Sequence, residues 1–172
     1  GGGSNVLICD EGFDALVIKA ANRNFKINLP VTSYQLPITN YQLPVTIHAE
    51  AGVLSAFLAR KTAEAGLTGF EWAVSLPGTI GGAIRGNAGC FGGEMKDVVS
   101  CVHIFTQKNL VDNSRELSTR DWREITLTNQ ECLFGYRDSI FKHMQPTPII
   151  LSAEFELRRD EPTACLARLA EK

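Results

Sequence analysis

The sequence predicts an α+β fold with mixed sheets and flanking helices. Two observations carry this. Val98–Thr106 and Ile149–Leu157 alternate apolar with polar residues and are rich in β-branched side chains, the pattern of half-buried strands. Between Val53 and Ala65, by contrast, Leu54, Phe57, Leu58 and Ala65 recur on one helical face. Strands and helices do not alternate as regular βαβ units, so a doubly wound parallel sheet is not expected.

The elements follow in order. Val6–Cys9 and Leu16–Ala20 read as short strands separated by a turn over Asp10–Asp14. Residues 29–44 hold a near-exact seven-residue repeat with prolines at Pro30, Pro37 and Pro44. Prolines at that spacing exclude a helix and discourage a central strand. The segment is expected to be a low-complexity insertion at a loop tip. Val45–Glu50 resumes a strand, with His48 on its solvent side. Gly66 follows the 53–65 helix as a natural C-terminal cap. Asn109–Ser114 reads as a turn region. Ser118 to Asp121 has capping-box spacing and predicts a short helix. Thr163–Ala170 has a helical start.

Composition narrows the function. The chain has 172 residues, enough for one domain with a core, and 44% hydrophobic with 21% charged residues is ordinary for a globular chain. A net charge of −2 with scattered Lys and Arg argues against a nucleic-acid surface. No apolar run approaches a membrane span, so no membrane partner is expected. Cys9, Cys90, Cys101, Cys132 and Cys165 form no CxxC pair, which suits reduced thiols in a cytoplasmic protein. His48, His103 and His143 show no metal-ligand spacing along the chain, and no metal is expected.

More than half of the fifteen glycines fall between Gly66 and Gly93. Pro77-Gly78-Thr79 before a short apolar run predicts a helix start whose N–H groups suit phosphate. A second cluster, Gly1 to Asn5, precedes the apolar run Val6–Cys9 and could wrap a pyrophosphate. It is not the G-x-G-x-x-G fingerprint, and no helix follows it, so a Rossmann fold is disfavoured. A third segment, Glu131 to Lys142, contains Phe134-Gly-Tyr-Arg-Asp-Ser139.

In this order, the three segments resemble the UDP-N-acetylenolpyruvoylglucosamine reductases, also called UDP-N-acetylmuramate dehydrogenases. The resemblance rests on GGGSNVLICDEGFDALVIK, AEAGLTGFEWAVSLPGTIGGAIRGNAGCFGGEMKDVV and FGYRDSIFK, and covers most of the chain. It implies an FAD-binding domain of the vanillyl-alcohol-oxidase/PCMH type over residues 1–157. Residues 158–172 would begin a link to a substrate-binding domain, and the chain would be a fragment cut at both ends. It implies an NADPH-dependent enzyme that reduces a UDP-sugar enolpyruvyl ether during peptidoglycan precursor synthesis. FAD would be held non-covalently, since no histidine lies in either glycine loop.

Residue by residue, Gly2, Gly3, Ser4 and Asn5 would flank one side of the FAD pyrophosphate. Pro77, Gly78, Thr79, Gly81 and Gly82 would flank the other, and Asn87, Ala88 and Gly89 would bring backbone near the flavin ring. Arg137 would be catalytic, stabilising charge beside the substrate carboxylate, and Tyr136 would bind substrate. An ion pair with Asp138 is the competing role for Arg137. Ser139 is not the family's proton donor, which the resemblance puts in a later domain with a catalytic glutamate. Glu94 reads as structural. An FAD-linked oxidase of small alcohols or sugars, and a non-catalytic flavin-binding remnant, are the alternatives.

Overall fold

The computed structural model describes residues 6–14, 16–28, 43–107 and 122–172. Eight strands and three α-helices are found among them. Strands β1 (Phe25–Asn28), β2 (Val45–Glu50), β6 (Val99–Gln107), β7 (Trp122–Thr128) and β8 (Ile149–Arg159) form one sheet in the order β1-β2-β8-β6-β7. Strand β3 (Leu67–Thr68) adds to β8, while β4 (Gly89–Cys90) and β5 (Gly93–Glu94) make a separate hairpin. Every pairing among the described residues is antiparallel.

Alternation along the central strands separates two faces. Val45, Ile47 and Ala49 of β2, Val102 and Ile104 of β6, and Ala153, Phe155 and Leu157 of β8 are buried on one face. Helices α1 (Ser55–Glu64) and α2 (Ile80–Arg85) supply Leu58, Ala59, Ile80 and Ile84 to the same core, and Phe70 packs against Phe155 with ring centres 5.5 Å apart. Burying one such aromatic side chain stabilises the fold by about 1.5–3 kcal/mol. The α1 helix stops where Gly66 adopts φ +69°, as its capping position requires. The opposite face carries His48, Glu50, Cys101, His103 and Glu154, together with the stacked pair Phe105 and Trp122.

Three expectations are corrected. Val6–Cys9 and Leu16–Ala20 are not strands. A strand exists only where a ladder satisfies its backbone, and no described strand pairs with either run; Leu7 is 100% and Leu16 86% exposed. The turn between them does form, with the Gly12 N–H donating to the Cys9 carbonyl at 3.0 Å. Residues 118–121 lie outside the described residues, but the helix they were to open does not continue into 122–128, which is β7. There Ile125 and Leu127 face the core while Trp122 stacks on Phe105 at 5.3 Å, so period-two pairing with β6 overrides the capping signal.

Lastly, β8 runs past residue 157 to Arg159, and α3 (Pro162–Ala170) packs on α1 through Cys165, Leu169 and Ala63. Arg168 bridges the buried Glu71 at 3.1 Å and Asp160 at 2.6 Å. Residues 158–170 therefore belong to the same body as the sheet.

The repeat falls mostly outside the described residues, yet the strands it joins are paired through Asn28 and Thr46. Replacing residues 29–44 by a four-residue glycine-containing turn should leave stability within about 1 kcal/mol, since closure depends weakly on loop length. Thermal or urea unfolding checks this, and a larger loss would show that the repeat packs on the core.

Candidate functional site

The glycine-rich segment turns repeatedly around the core. After a 3₁₀ turn over Glu71–Ser75, the loop Leu76–Thr79 leads into α2. Gly78 takes φ +103° with open space around it, which only glycine accepts without strain. The expected helix start is present, with Thr79 at its N-cap position. Its donors are largely spent within the protein. The Ile80 N–H donates to the Val53 carbonyl and the Gly81 N–H to the Ala51 carbonyl, both at 2.9 Å. Gly81 also owes its identity to packing, because a Cβ there would lie 2.9 Å from that of Ala51. Gly82 differs. It is exposed, and a Cβ there would meet nothing nearer than the Thr79 Oγ1 at 3.8 Å.

Asn87 is a buried hub. Its Nδ2 donates to the Glu94 carboxylate at 2.6 Å and to the Gly135 carbonyl at 2.8 Å, and its Oδ1 accepts the Lys96 N–H at 3.0 Å. The Ala88 N–H and carbonyl are bonded to Ala83 and Met95. Asn87 and Ala88 therefore frame the site, with their donors committed to the fold. Gly89 sits where a Cβ would collide with the Glu94 side chain at 2.9 Å. Glu94 completes a capping box with Asp97 and pairs with Lys96 at 3.1 Å, a structural role as expected.

This hub seats the third segment. Gly135 and Asp138 exchange backbone hydrogen bonds at 3.0 and 3.2 Å, closing a turn with Tyr136 and Arg137 at its tip. Arg137 adopts φ +53°, a left-handed conformation usually given to glycine at this place in a turn. Such strain persists where surrounding structure holds it, and it concentrates at functional sites. The Arg137 Nη2 donates to the Gly89 carbonyl at 3.1 Å. Among the described residues it makes no ion pair. Asp138 instead binds His143 at 2.8 Å, and that hydrogen bond holds the Asp138 carboxyl below its ordinary range. The Ser139 hydroxyl is buried and donates to the Arg85 carbonyl at 2.7 Å, which suits a framing role rather than proton delivery.

Arg137, the 89% exposed Tyr136, Asn87, Gly89 and Glu94 thus line one cleft of about 260 Å³. The structure brings together two of the segments singled out in the sequence. The first, Gly2 to Asn5, lies outside the described residues. Missing from the sequence-based view was the Asn87–Glu94–Gly135 link; an amide and a carboxylate seven residues apart in the glycine-rich segment were its only signal.

The flavin expectation can be tested on this geometry. Beside the loop, the amide of Ser55 donates to the Gly78 carbonyl at 3.2 Å, while the fully buried Ser55 hydroxyl finds no partner among the described residues. A buried hydroxyl without a partner costs about 1–3 kcal/mol, and an added acceptor would relieve it. Together with the open approaches at Gly78 and Gly82, this fits a phosphate-bearing ligand.

Comparison with known proteins agrees. The family described as FAD binding domain matches residues 1–109. The UDP-N-acetylenolpyruvoylglucosamine reductase of Caulobacter vibrioides (strain NA1000 / CB15N) is 38% identical over 171 residues, covering 99% of this chain and 48% of that protein. The protein of the same name from Clostridioides difficile (strain 630) is 36% identical, over 92% of this chain and 43% of its own length. The crystal structure of UDP-N-acetylenolpyruvylglucosamine reductase (MurB) from Thermus caldophilus superposes with a TM-score of 0.56 at 31% identity, covering 70% of this chain and 39% of that one. The chain spans about half the length of the curated relatives it matches. Among the described residues, no helix is long and apolar enough to cross a membrane.

Proposed function

The chain belongs to the FAD binding domain family, and from that membership we propose that it is the flavin-holding part of a UDP-N-acetylenolpyruvoylglucosamine reductase. The substrate would be a UDP-sugar enolpyruvyl ether and the reductant NADPH, in peptidoglycan precursor synthesis in the cytoplasm. The observation that carries the proposal is the cleft in which Arg137, with no acidic partner among the described residues, faces the glycine-rich segment.

In this proposal Gly78 and Gly82 let FAD phosphates approach the backbone, and Ser55 offers its free hydroxyl. Pro77 and Thr79 hold that loop in shape; Gly81 lets α2 pack closely. Bound FAD supplies a store for the hydride that passes from NADPH to the enolpyruvyl double bond. Arg137 then grips the substrate carboxylate. One guanidinium N–H is spent on the Gly89 carbonyl, fixing the plane, and the others remain for a two-pronged contact. Tyr136 stands exposed beside it to orient the substrate. A proton donor and a catalytic glutamate would come from the remainder of the longer protein, as the resemblance implies. Residues 158–172 would lead toward it, with α3 docked on α1.

The test is to denature the purified full-length parent and follow the flavin. FAD should leave the precipitated chain entirely and rebind on refolding. Flavin that stays with the denatured protein would contradict non-covalent binding. A protein that cannot be reconstituted would contradict the site.

A further inference from the structure

The sheet face turned away from the helices carries a second cluster, remote from the Arg137 cleft. Cys101 and His103 are two residues apart on β6 and so point to the same side. Glu154 of β8 lies opposite Cys101, and His48 of β2 lies opposite Glu154. The Cys101 Sγ and His103 Nε2 are 3.9 Å apart, and His103 Nε2 lies 4.0 Å from a Glu154 oxygen. One donor atom from each of these three residues falls within 4.8 Å of the others. The imidazole of His48 stands with its centre 6.1 Å from that of His103.

We propose that Cys101, His103, Glu154 and His48 form a site for a zinc-class transition-metal ion. Zinc bonds of about 2.3 Å to sulfur and about 2.0–2.1 Å to nitrogen or oxygen, at tetrahedral angles, separate donor atoms by about 3.3–3.6 Å. The 3.9 and 4.0 Å separations at His103 Nε2 exceed that by up to about 0.7 Å, and with all three donor atoms inside 4.8 Å of one another, side-chain rotations can close the set. Thiolate, imidazole and carboxylate together suit zinc better than a hard cation. Binding would release the thiol proton, as a coordinating thiolate requires. The surroundings are favourable too. The cluster borders a concavity of about 450 Å³ that also holds Glu50 and Glu124, whose charges attract a dication.

The second layer is also in place. Thr126 Oγ1 lies 2.9 Å from His103 Nδ1. An Nδ1–H donated to that hydroxyl leaves Nε2 free as the ligand and fixes the ring. Spacing along the chain conceals the set, because its members come from three strands.

Cobalt(II) reports on this directly, since a bound thiolate gives a sulfur-to-cobalt charge-transfer band in the near ultraviolet. Titration of the full chain should produce that band and saturate near equimolar cobalt, and zinc should displace it. Cys101→Ser should abolish the band. Cys9→Ser, which removes the exposed thiol beside Glu11, should leave it intact. Thr126→Val touches no metal, so it should keep the band while weakening affinity about 10–100-fold. His103→Gln should weaken it at least as much. The proposal is overturned if no band forms, if the band follows Cys9 instead of Cys101, or if affinity is unchanged in both the Thr126 and His103 variants.

Discussion

In the full-length parent, Arg137→Lys should retain FAD and react normally with NADPH, while the enolpyruvyl half-reaction slows by at least ~100-fold. That is the scale for losing one preorganised electrostatic contact to a developing charge. Lysine keeps the charge but has no planar fork. The substitution leaves the backbone problem unchanged, because φ +53° is as costly for lysine as for arginine. It removes a single hydrogen bond, to the Gly89 carbonyl, and breaks no ion pair among the described residues. The turn itself stays tied to Asn87 through Gly135. Rapid-mixing kinetics separates the two halves. Equal slowing of both, or loss of flavin, would show that Arg137 holds the fold or the cofactor rather than the substrate.

Gly93→Ala should destabilise the protein by about 3 kcal/mol, a large share of the ~5–15 kcal/mol that folded domains possess. A methyl group there would land inside the Trp72 indole. Overpacking of this kind costs about 1–3 kcal/mol. Moving the ring also strains its N–H bond to the Gly69 carbonyl, 3.1 Å in the native fold, worth about 1 kcal/mol more. Because Gly93 lines the Arg137 cleft, flavin-dependent activity should fall with stability. Chemical denaturation measures the first effect. A change below about 1 kcal/mol would mean that Trp72 has room to move.

Periodicity made the central sheet legible, because β2, β6 and β8 each show one buried face to the core. The α1 helix forms where expected, but of the four residues expected on its inner face only Leu58 is buried; Leu54, Phe57 and Ala65 are exposed, and the small residues Ser55, Ala59, Thr62 and Ala63 turn inward beside Leu58 instead. The same signal misled at Val6–Cys9 and Leu16–Ala20, where apolar runs have no described strand to pair with. At residues 122–128 cross-strand pairing to β6 excludes a continuing helix, while residues 118–121, which carry the capping pattern, lie outside the described residues. For the cleft, motif order pointed to Gly89, Tyr136 and Arg137. It could not show that Asn87, Ala88, Ile80 and Gly81 spend their donors internally, since their acceptors lie on distant segments. Nor could it show the left-handed backbone at Arg137, which is a property of the closed turn.

In the proposed function the open glycine loop before and within α2 receives the flavin. Gly82→Ala tests it most directly, because the unliganded protein has room for the methyl group. Alanine is also the better helix former by about 1 kcal/mol. Flavin fluorescence titration of both proteins in parallel with thermal unfolding separates binding from folding. Stability without flavin should be unchanged or slightly raised, and FAD affinity at least ~10-fold weaker, a difference of about 1.4 kcal/mol. Undiminished FAD affinity in a stable Gly82→Ala protein would contradict that placement.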